Sequence, residues 1–272
     1  EKVYGIAACA CVILTIGITV MKRIKSDDYH DWEFPYGPIT FLDVTHSPNY
    51  EIALTYQLVT VSYFATYFVV TDLAAAAILA HVSYQFKILQ NNIENIIELS
   101  YQDMLMDSHQ TTRTNNSKID PSLIPWKYLE KNLADVVEYH LAVEGIADEF
   151  ENAFGTLFLL VFVCSLGMLA FMLYHLTMIP LTDNRVYDVI LACLCTCFQT
   201  FIVCYWGEQV LTESQLVGNS AFNANFVKAD QRLQKGLLLI ICRSQKPVVV
   251  TAKKFAVINL YTFSWVRKII LT

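Results

Sequence analysis

Apolar residues fall into long blocks along this chain, separated by polar, turn-rich segments. Residues 3–21 hold no charge, and at about 1.5 Å per residue a helix of that length crosses a hydrocarbon core of about 30 Å. A cleaved signal peptide is the alternative. The run is longer than a 7–15-residue apolar region, no small-residue cleavage site follows it, and Lys22, Arg23 and Lys25 flank it instead. Residues 52–82 form a second block with Asp72 as its one unambiguous charge. It exceeds what a bilayer needs, which predicts a helix that tilts or projects beyond one face, with Asp72 near the far interface. Blocks at 154–181 and 186–206 are joined only by a turn around TDNR, and so short a link makes them an antiparallel pair. A last run, 255–272, is interrupted by Arg267 and Lys268 and is short for a complete span.

The segments between the blocks differ from one another. Residues 26–51 mix Pro35, Gly37, Pro38 and Pro48 with Trp32, Phe34, Tyr36 and Phe41, which predicts an irregular loop whose aromatic residues sit at a membrane surface. Residues 86–106 carry a helical stripe of Phe86, Leu89, Ile93, Ile96, Ile97 and Met104. Residues 126–151 resume it at Leu129, Leu133, Val136, Val137, His140 and Ala147. Their polar faces lack the Lys and Arg richness of helices that lie on lipid, so packing against neighbouring helices is expected. Residues 107–122 are a polar break between them. Residues 207–236 are mixed and polar, and a short apolar segment begins at Gly236 and stops at RSQKP.

Composition supports a membrane solvent. Of 272 residues, 55% are hydrophobic and 16% charged, against about 25% charged in an average soluble domain. The fold class predicted is all-α, a polytopic membrane helix bundle. A net charge of −6 argues against a nucleic-acid partner. Alternating the spans puts five Lys and Arg in 83–153 and seven in 207–254 on the side of Lys2. Three in 22–51 and Arg185 lie on the other side. This bias places the chain's N-terminus, 83–153 and 207–254 in the cytoplasm. It also predicts that the sequon Asn115-Asn116-Ser117 stays unmodified.

No catalytic constellation is visible. The cysteines at 9, 11, 164, 193, 195, 197, 204 and 242 all lie in apolar segments and read as small buried hydrophobes. Cys193, Cys195 and Cys197 alternate around a helix and do not converge as metal ligands would. The six histidines lack zinc-ligand spacing. G-x-S-x-G, the P-loop and the dinucleotide fingerprint are absent. Neither an enzyme activity nor a cofactor is expected.

From Gly207 onward the pattern is more specific. GEQVLTES at 207–214 and RSQKPVVVTAKKFAVINLYTF at 243–263 resemble the C-terminal signature of insect odorant receptors. The matching positions are Gly207, Glu208, Ser214, Arg243, Ser244, Gln245, Lys246, Pro247, Thr251, Ala252, Phe255, Leu260 and Phe263. YHLAVEGIADEFENAFGTLFL at 139–159 is similar to the family's run into its fifth helix. The resemblance covers nearly the whole chain, and SQKP…TA…F is its most specific part.

That resemblance implies a seven-helix chemoreceptor fold lacking its first two helices and the end of the last. Residues 1–82 would hold helices three and four around an extracellular loop at 22–51. Residues 83–153 would be cytoplasmic amphipathic helices, 154–206 helices five and six, 207–254 a cytoplasmic anchor segment, and 255–272 the start of a pore-lining helix. The anchor joins four subunits in this family, which assigns subunit contact to Arg243, Ser244, Gln245, Lys246 and Pro247. Phe255, Leu260 and Phe263 would belong to the pore helix, where Arg267 and Lys268 sit oddly near a cation path.

The family's ligand pocket lies in the outer half of the bilayer. It would draw here on Thr15, Ile18 and Thr19, on Tyr56, Val59, Thr60 and Tyr63, and on Tyr187 and Leu191. An apolar cavity with a few hydroxyls suits a small volatile molecule. The implied protein is an odorant-binding subunit of a ligand-gated cation channel. It would work as a heterotetramer with a coreceptor subunit in the plasma membrane of sensory neurons, in contact with membrane lipid. A gustatory-type receptor of the same superfamily and a non-functional receptor fragment are the alternatives. The coreceptor itself would need a longer loop than 83–153, a G-protein-coupled receptor lacks its D-R-Y and N-P-x-x-Y motifs here, and no repeat points to a transporter.

Overall fold

The computed structural model of the chain describes residues 17, 20, 21, 24, 48–108, 119–180 and 185–271. From residue 48 onward the described residues form six α-helices and one short hairpin. These are α1 (Asn49–Glu94), α2 (Ile96–Asp107), α3 (Trp126–Met178), α4 (Arg185–Asn223), α5 (Gln231–Ser244), β1 (Thr251–Ala252), β2 (Ala256–Val257) and α6 (Leu260–Leu271). A single 3-10 turn, Pro121–Leu123, precedes α3. Gly17, Val20, Met21 and Ile24 are helical, while the rest of the first apolar block and the loop to residue 47 lie outside the described residues. The chain divides into two units, residues 1–74 and 75–272.

Three helices, α1, α3 and α4, are long and apolar enough to cross a membrane. Each also continues past the boundary where the apolar pattern ends, so the expected breaks at 82/83, 153/154 and 206/207 fall inside unbroken helix. The physical reason is local. No proline lies within α1, α3 or α4, and their 3.6-residue periodicity changes from an all-round apolar surface to a one-sided stripe without losing phase. At 46 and 53 residues, α1 and α3 extend about 70 and 80 Å, well over twice a hydrocarbon core.

In the unit 75–272 the stripes interlock. Ala75, Leu79, Val82, Phe86, Leu89 and Ile93 of α1 and Ile96 of α2 are buried at alternating spacings of four and three. Val203, Gly207, Val210, Ser214, Val217, Ala221 and Ala224 repeat the pattern along α4 and just past its end. Leu233, Leu237, Ile240 and Ser244 do so along α5. On the first half of α3, up to Glu151, the buried set is Leu129, Val136, His140, Val143, Ala147 and Phe150. Val137, expected on the stripe, is exposed instead, and Val143 and Phe150 complete the seam. Such a seven-residue repeat is the pattern that keeps packed helices in register.

Side chains set the element ends. Asn95 donates its side-chain amide to the Asn91 carbonyl at 2.9 Å, a local competition with the helix ladder at the break between α1 and α2. Asp230 accepts from the Arg232 N–H at 2.8 Å and starts α5. Asn259 accepts from the Thr262 N–H at 2.9 Å and starts α6.

A candidate site where the bundle holds the last helix

The residues of the C-terminal signature line one path along α4, from the end of α5 at Gly218 to the hairpin and the start of α6 at Gly207 and Glu208. At the end of α5, the Arg243 guanidinium donates to the Lys246 carbonyl at 2.6 Å and reaches Glu144 of α3 at 2.9 Å. Ser244 is buried against Gly218 of α4, so closely that a Cβ on Gly218 would lie 2.2 Å from its Oγ. Gln245 and Lys246 are exposed and Pro247 is half-buried. The chain then runs back along α4, where the Val248 N–H donates to Ser214 Oγ at 3.0 Å.

The hairpin follows. Thr251 pairs with Val257 and Ala252 with Ala256, and the Ile258 N–H donates to the Val250 carbonyl at 2.9 Å. Val250, Ala252 and Ile258 are buried in the bundle core. Thr251 Oγ donates to Glu151 of α3 at 2.5 Å. Two glycines permit the approach. A Cβ on Gly155 of α3 would sit 3.3 Å from the Lys253 nitrogen, and one on Gly207 of α4 would sit 2.2 Å from the Ile258 carbonyl oxygen. The second is no contact a real side chain tolerates, so Gly207 is required for α4 to pass the strand.

Glu208, the next residue, accepts from the Leu260 N–H at 3.3 Å. A carboxylate at a helix N-terminus binds one of the donors the helix leaves unpaired and opposes its dipole. Phe263 then packs edge-on to Phe201 of α4, with ring centroids 5.5 Å apart. The signature therefore fastens the start of α6 to the bundle through a close backbone pass, a carboxylate cap and an aromatic pair.

Buried polar groups tie the bundle behind this joint. Gln90 of α1 donates to both the backbone carbonyl and the carboxylate of Glu213, each at 2.9 Å. Lys87 lies 3.4 Å from the same carboxylate. His140 is buried, lies edge-on to Phe86 and is 3.2 Å from Glu144. Burial holds its imidazole below the usual value near 6.5; Glu144 opposes that shift and Arg243 adds to it. On the solvent side, the Tyr128 hydroxyl and Lys127 bind Asp107, and these bonds hold its carboxyl below the ordinary range.

Sequence comparison identifies the fold's owner. The profile of the 7tm odorant receptor family matches residues 2–270. The chain belongs to that family. Among its relatives in Drosophila melanogaster, odorant receptor 92a is 26% identical over 85% of this chain and 49% of its own length. Odorant receptor 85b is 28% identical over 48% of this chain and 33% of its own. The chain thus spans about half the length of the first and a third of the second. Two structures of the insect olfactory receptor OR5 from Machilis hrabei share the fold. The form in complex with eugenol superposes on all of this chain and 68% of its own, with a TM-score of 0.70 at 16% identity. The other form gives 0.69 at 15%. The chain has a helical-bundle fold in which three helices are long and apolar enough to cross a membrane.

The residues expected to contact ligand are placed as follows. Thr15, Ile18 and Thr19 lie outside the described residues. Tyr56, Val59, Thr60 and Tyr63 share one face of α1 at helical spacing; Thr60 is half-buried and the other three are exposed. Tyr187 and Leu191 are exposed one turn apart on α4. Of the residues expected in the pore helix, Leu260 is its first residue and Phe263 faces α4. Phe255 precedes the helix, in the hairpin turn, because Asn259 and not an earlier residue supplies the cap.

Glu144, Glu151, Gly155, Glu213 and Gly218 were missed from sequence. A signal existed for Glu213: it lies beside Ser214 on an otherwise apolar heptad seam, where a carboxylate needs a buried partner. Among the described residues, no group of three His, Cys, Asp or Glu side chains could hold a metal.

Proposed function

We propose that this chain is the odorant-recognising part of a subunit of a ligand-gated cation channel. The subunit assembles with a coreceptor subunit in the plasma membrane of sensory neurons. The chain's N-terminus and residues 83–153 and 207–254 are cytoplasmic in this reading, in keeping with the bias of Lys and Arg toward that side. The protein acts as a receptor, with no catalytic step and no cofactor. The observation that carries the reading is the joint: family-signature residues are spent on fixing the start of α6 to a rigid bundle.

A small volatile molecule is recognised among Thr15, Ile18, Thr19, Tyr56, Val59, Thr60, Tyr63, Tyr187 and Leu191. Burial of its carbon skeleton supplies the affinity and a hydroxyl selects its polar group. The related receptor solved with eugenol supports this class of ligand. Opening requires the ligand to bind the open state more tightly than the closed one, and the joint passes the change to α6. With Phe263 turned to α4, the face bearing Tyr261, Ser264 and Lys268, all exposed, lines the pore. Arg243, Ser244, Gln245, Lys246 and Pro247 support the subunit contact; of these, Arg243, Gln245 and Lys246 are exposed.

The test is electrophysiological. The chain with its native flanking sequence, expressed with a coreceptor, is expected to give cation currents on exposure to one or more members of an odorant panel. A receptor that reaches the surface and stays silent to every odorant, or that signals without the coreceptor through a G protein, would overturn the proposal.

A further inference from the structure

We infer that the hairpin tip Lys253-Lys254-Phe255 is a docking element for anionic phospholipid headgroups at the cytoplasmic surface of the membrane. Three helices fix its depth. Along α3 the last charge before the apolar stretch is Glu151, and Gly155, one turn on, touches the Lys253 backbone. Along α4 the first charge after the apolar stretch is Glu208, beside the Gly207 that touches Ile258. α6 begins its apolar run at Leu260, on the Glu208 carboxylate. All three transitions from hydrocarbon-compatible to charged sequence coincide at the hairpin, so its tip lies at headgroup level.

The tip is built to present its side chains outward. Lys253 and Lys254 have φ of 54° and 61°, and the Phe255 N–H closes the turn on the Ala252 carbonyl at 3.0 Å. Positive φ at both central residues is the sign pattern of a turn that favours Asn and Gly. Two lysines there are strained, and such strain is held only where the surroundings fix it. Here the Lys254 N–H is fixed by Thr251 Oγ at 2.8 Å, itself bound to Glu151. Both lysines are exposed and form no ion pair among the described residues, and Phe255 is 81% exposed. An aromatic ring flanked by two cations at the boundary of a span matches a leaflet that is anionic at its surface and apolar beneath it.

The leaflet named rests on the orientation proposed above. The test does not, because a nanodisc presents the same lipids on both faces. With Phe255→benzoylphenylalanine in the flanked chain, photolysis in nanodiscs of phosphatidylcholine with about one-fifth phosphatidylserine is expected to give lipid adducts. The ratio of serine-lipid to choline-lipid adducts should exceed the ratio of the two lipids in the bilayer by about fivefold per lysine. Lys253→Asn with Lys254→Gly keeps the turn and removes the charge, and the enrichment should vanish; Lys253→Arg with Lys254→Arg should retain it. Adducts to a second protein chain, adducts that mirror bulk lipid, or loss of enrichment in the arginine variant would overturn the inference. A failure of the channel proposal would show in the recordings and leave the lipid adducts unchanged.

Discussion

Two stretches of the same helix, α1, do different work. From 75 to 93 its buried residues keep to one face, a three-four alternation from Ala75 to Ile93 with Ala76 and Ser83 beside it, and Phe86, Leu89 and Ile93 have no exposed surface at all. From 56 to 70 the helix is as apolar, yet Tyr56, Val59, Tyr63, Phe64, Tyr67 and Phe68 are all exposed. The hydroxyls of Thr66 and Thr71 turn back to the helix's own carbonyls four residues earlier, at 2.8 Å, which satisfies them without a neighbour. Hydrophobicity alone cannot separate these stretches. The difference lies in whether one face is singled out. A striped helix has its neighbours specified, whereas an all-round apolar helix leaves its surface to lipid, other subunits or ligand.

The comparison breaks most easily at the joint. Gly207→Ala would place a methyl 2.2 Å from the Ile258 carbonyl oxygen, a backbone obstacle that no rotamer change removes. Overpacking of this kind costs about 1–3 kcal/mol, so a thermal-unfolding scan of the receptor in nanodiscs should show a lower midpoint, and currents to every odorant should shrink together.

Gly218→Ala comes next. Its obstacle is the Ser244 hydroxyl, a side chain, so Ser244→Ala should recover part of the loss. A thermal-stability cycle over the two positions should give a coupling of about 0.5 kcal/mol or more. The same Ser244→Ala should do nothing for Gly207→Ala.

Much of this was legible in sequence. Three of the apolar blocks fall on the helices long and apolar enough to cross a membrane, and the stripes marked most of the bundle seams, since each is a periodicity of the chain itself. The signature pointed to Gly207, Glu208 and Ser214, whose contacts explain why those residue types are needed. What was not legible depends on partners distant in sequence. Nothing near Glu144 in sequence marks it out from the other acidic residues of α3, and its partner Arg243 comes from about a hundred residues further along the chain. Gly155 looks like a helix glycine among apolar residues until the hairpin crosses it. The continuity of α3 was missed because charge ends at Glu151 whereas the helix has no reason to end there.

His140 gives a smaller, pH-dependent effect. Its folded value lies below the ordinary one near 6.5, chiefly through burial, so between those two values the unfolded chain binds more protons than the native one. Stability contributed by His140 is therefore present above pH 6.5 and lost as the pH falls through that window. Midpoints of unfolding measured on either side of pH 6.5 should drop on acidification, and His140→Asn should flatten that part of the slope.

The smallest effect on stability is expected on the exposed face of α1. Tyr63→Phe removes a hydroxyl that no bundle residue needs, and its unfolding midpoint should correspond to a change within about 0.5 kcal/mol. Its effect should appear in which odorants are preferred.

The most direct measurement is a set of odorant dose–response curves for Gly207→Ala and Tyr63→Phe, recorded with the coreceptor against one panel. The account predicts that Gly207→Ala scales down all maximal currents and keeps the odorants in the same order of potency, while Tyr63→Phe keeps the currents and changes the order. A reordered panel for Gly207→Ala at unchanged maximal current, with Tyr63→Phe indistinguishable from the native chain, would contradict it.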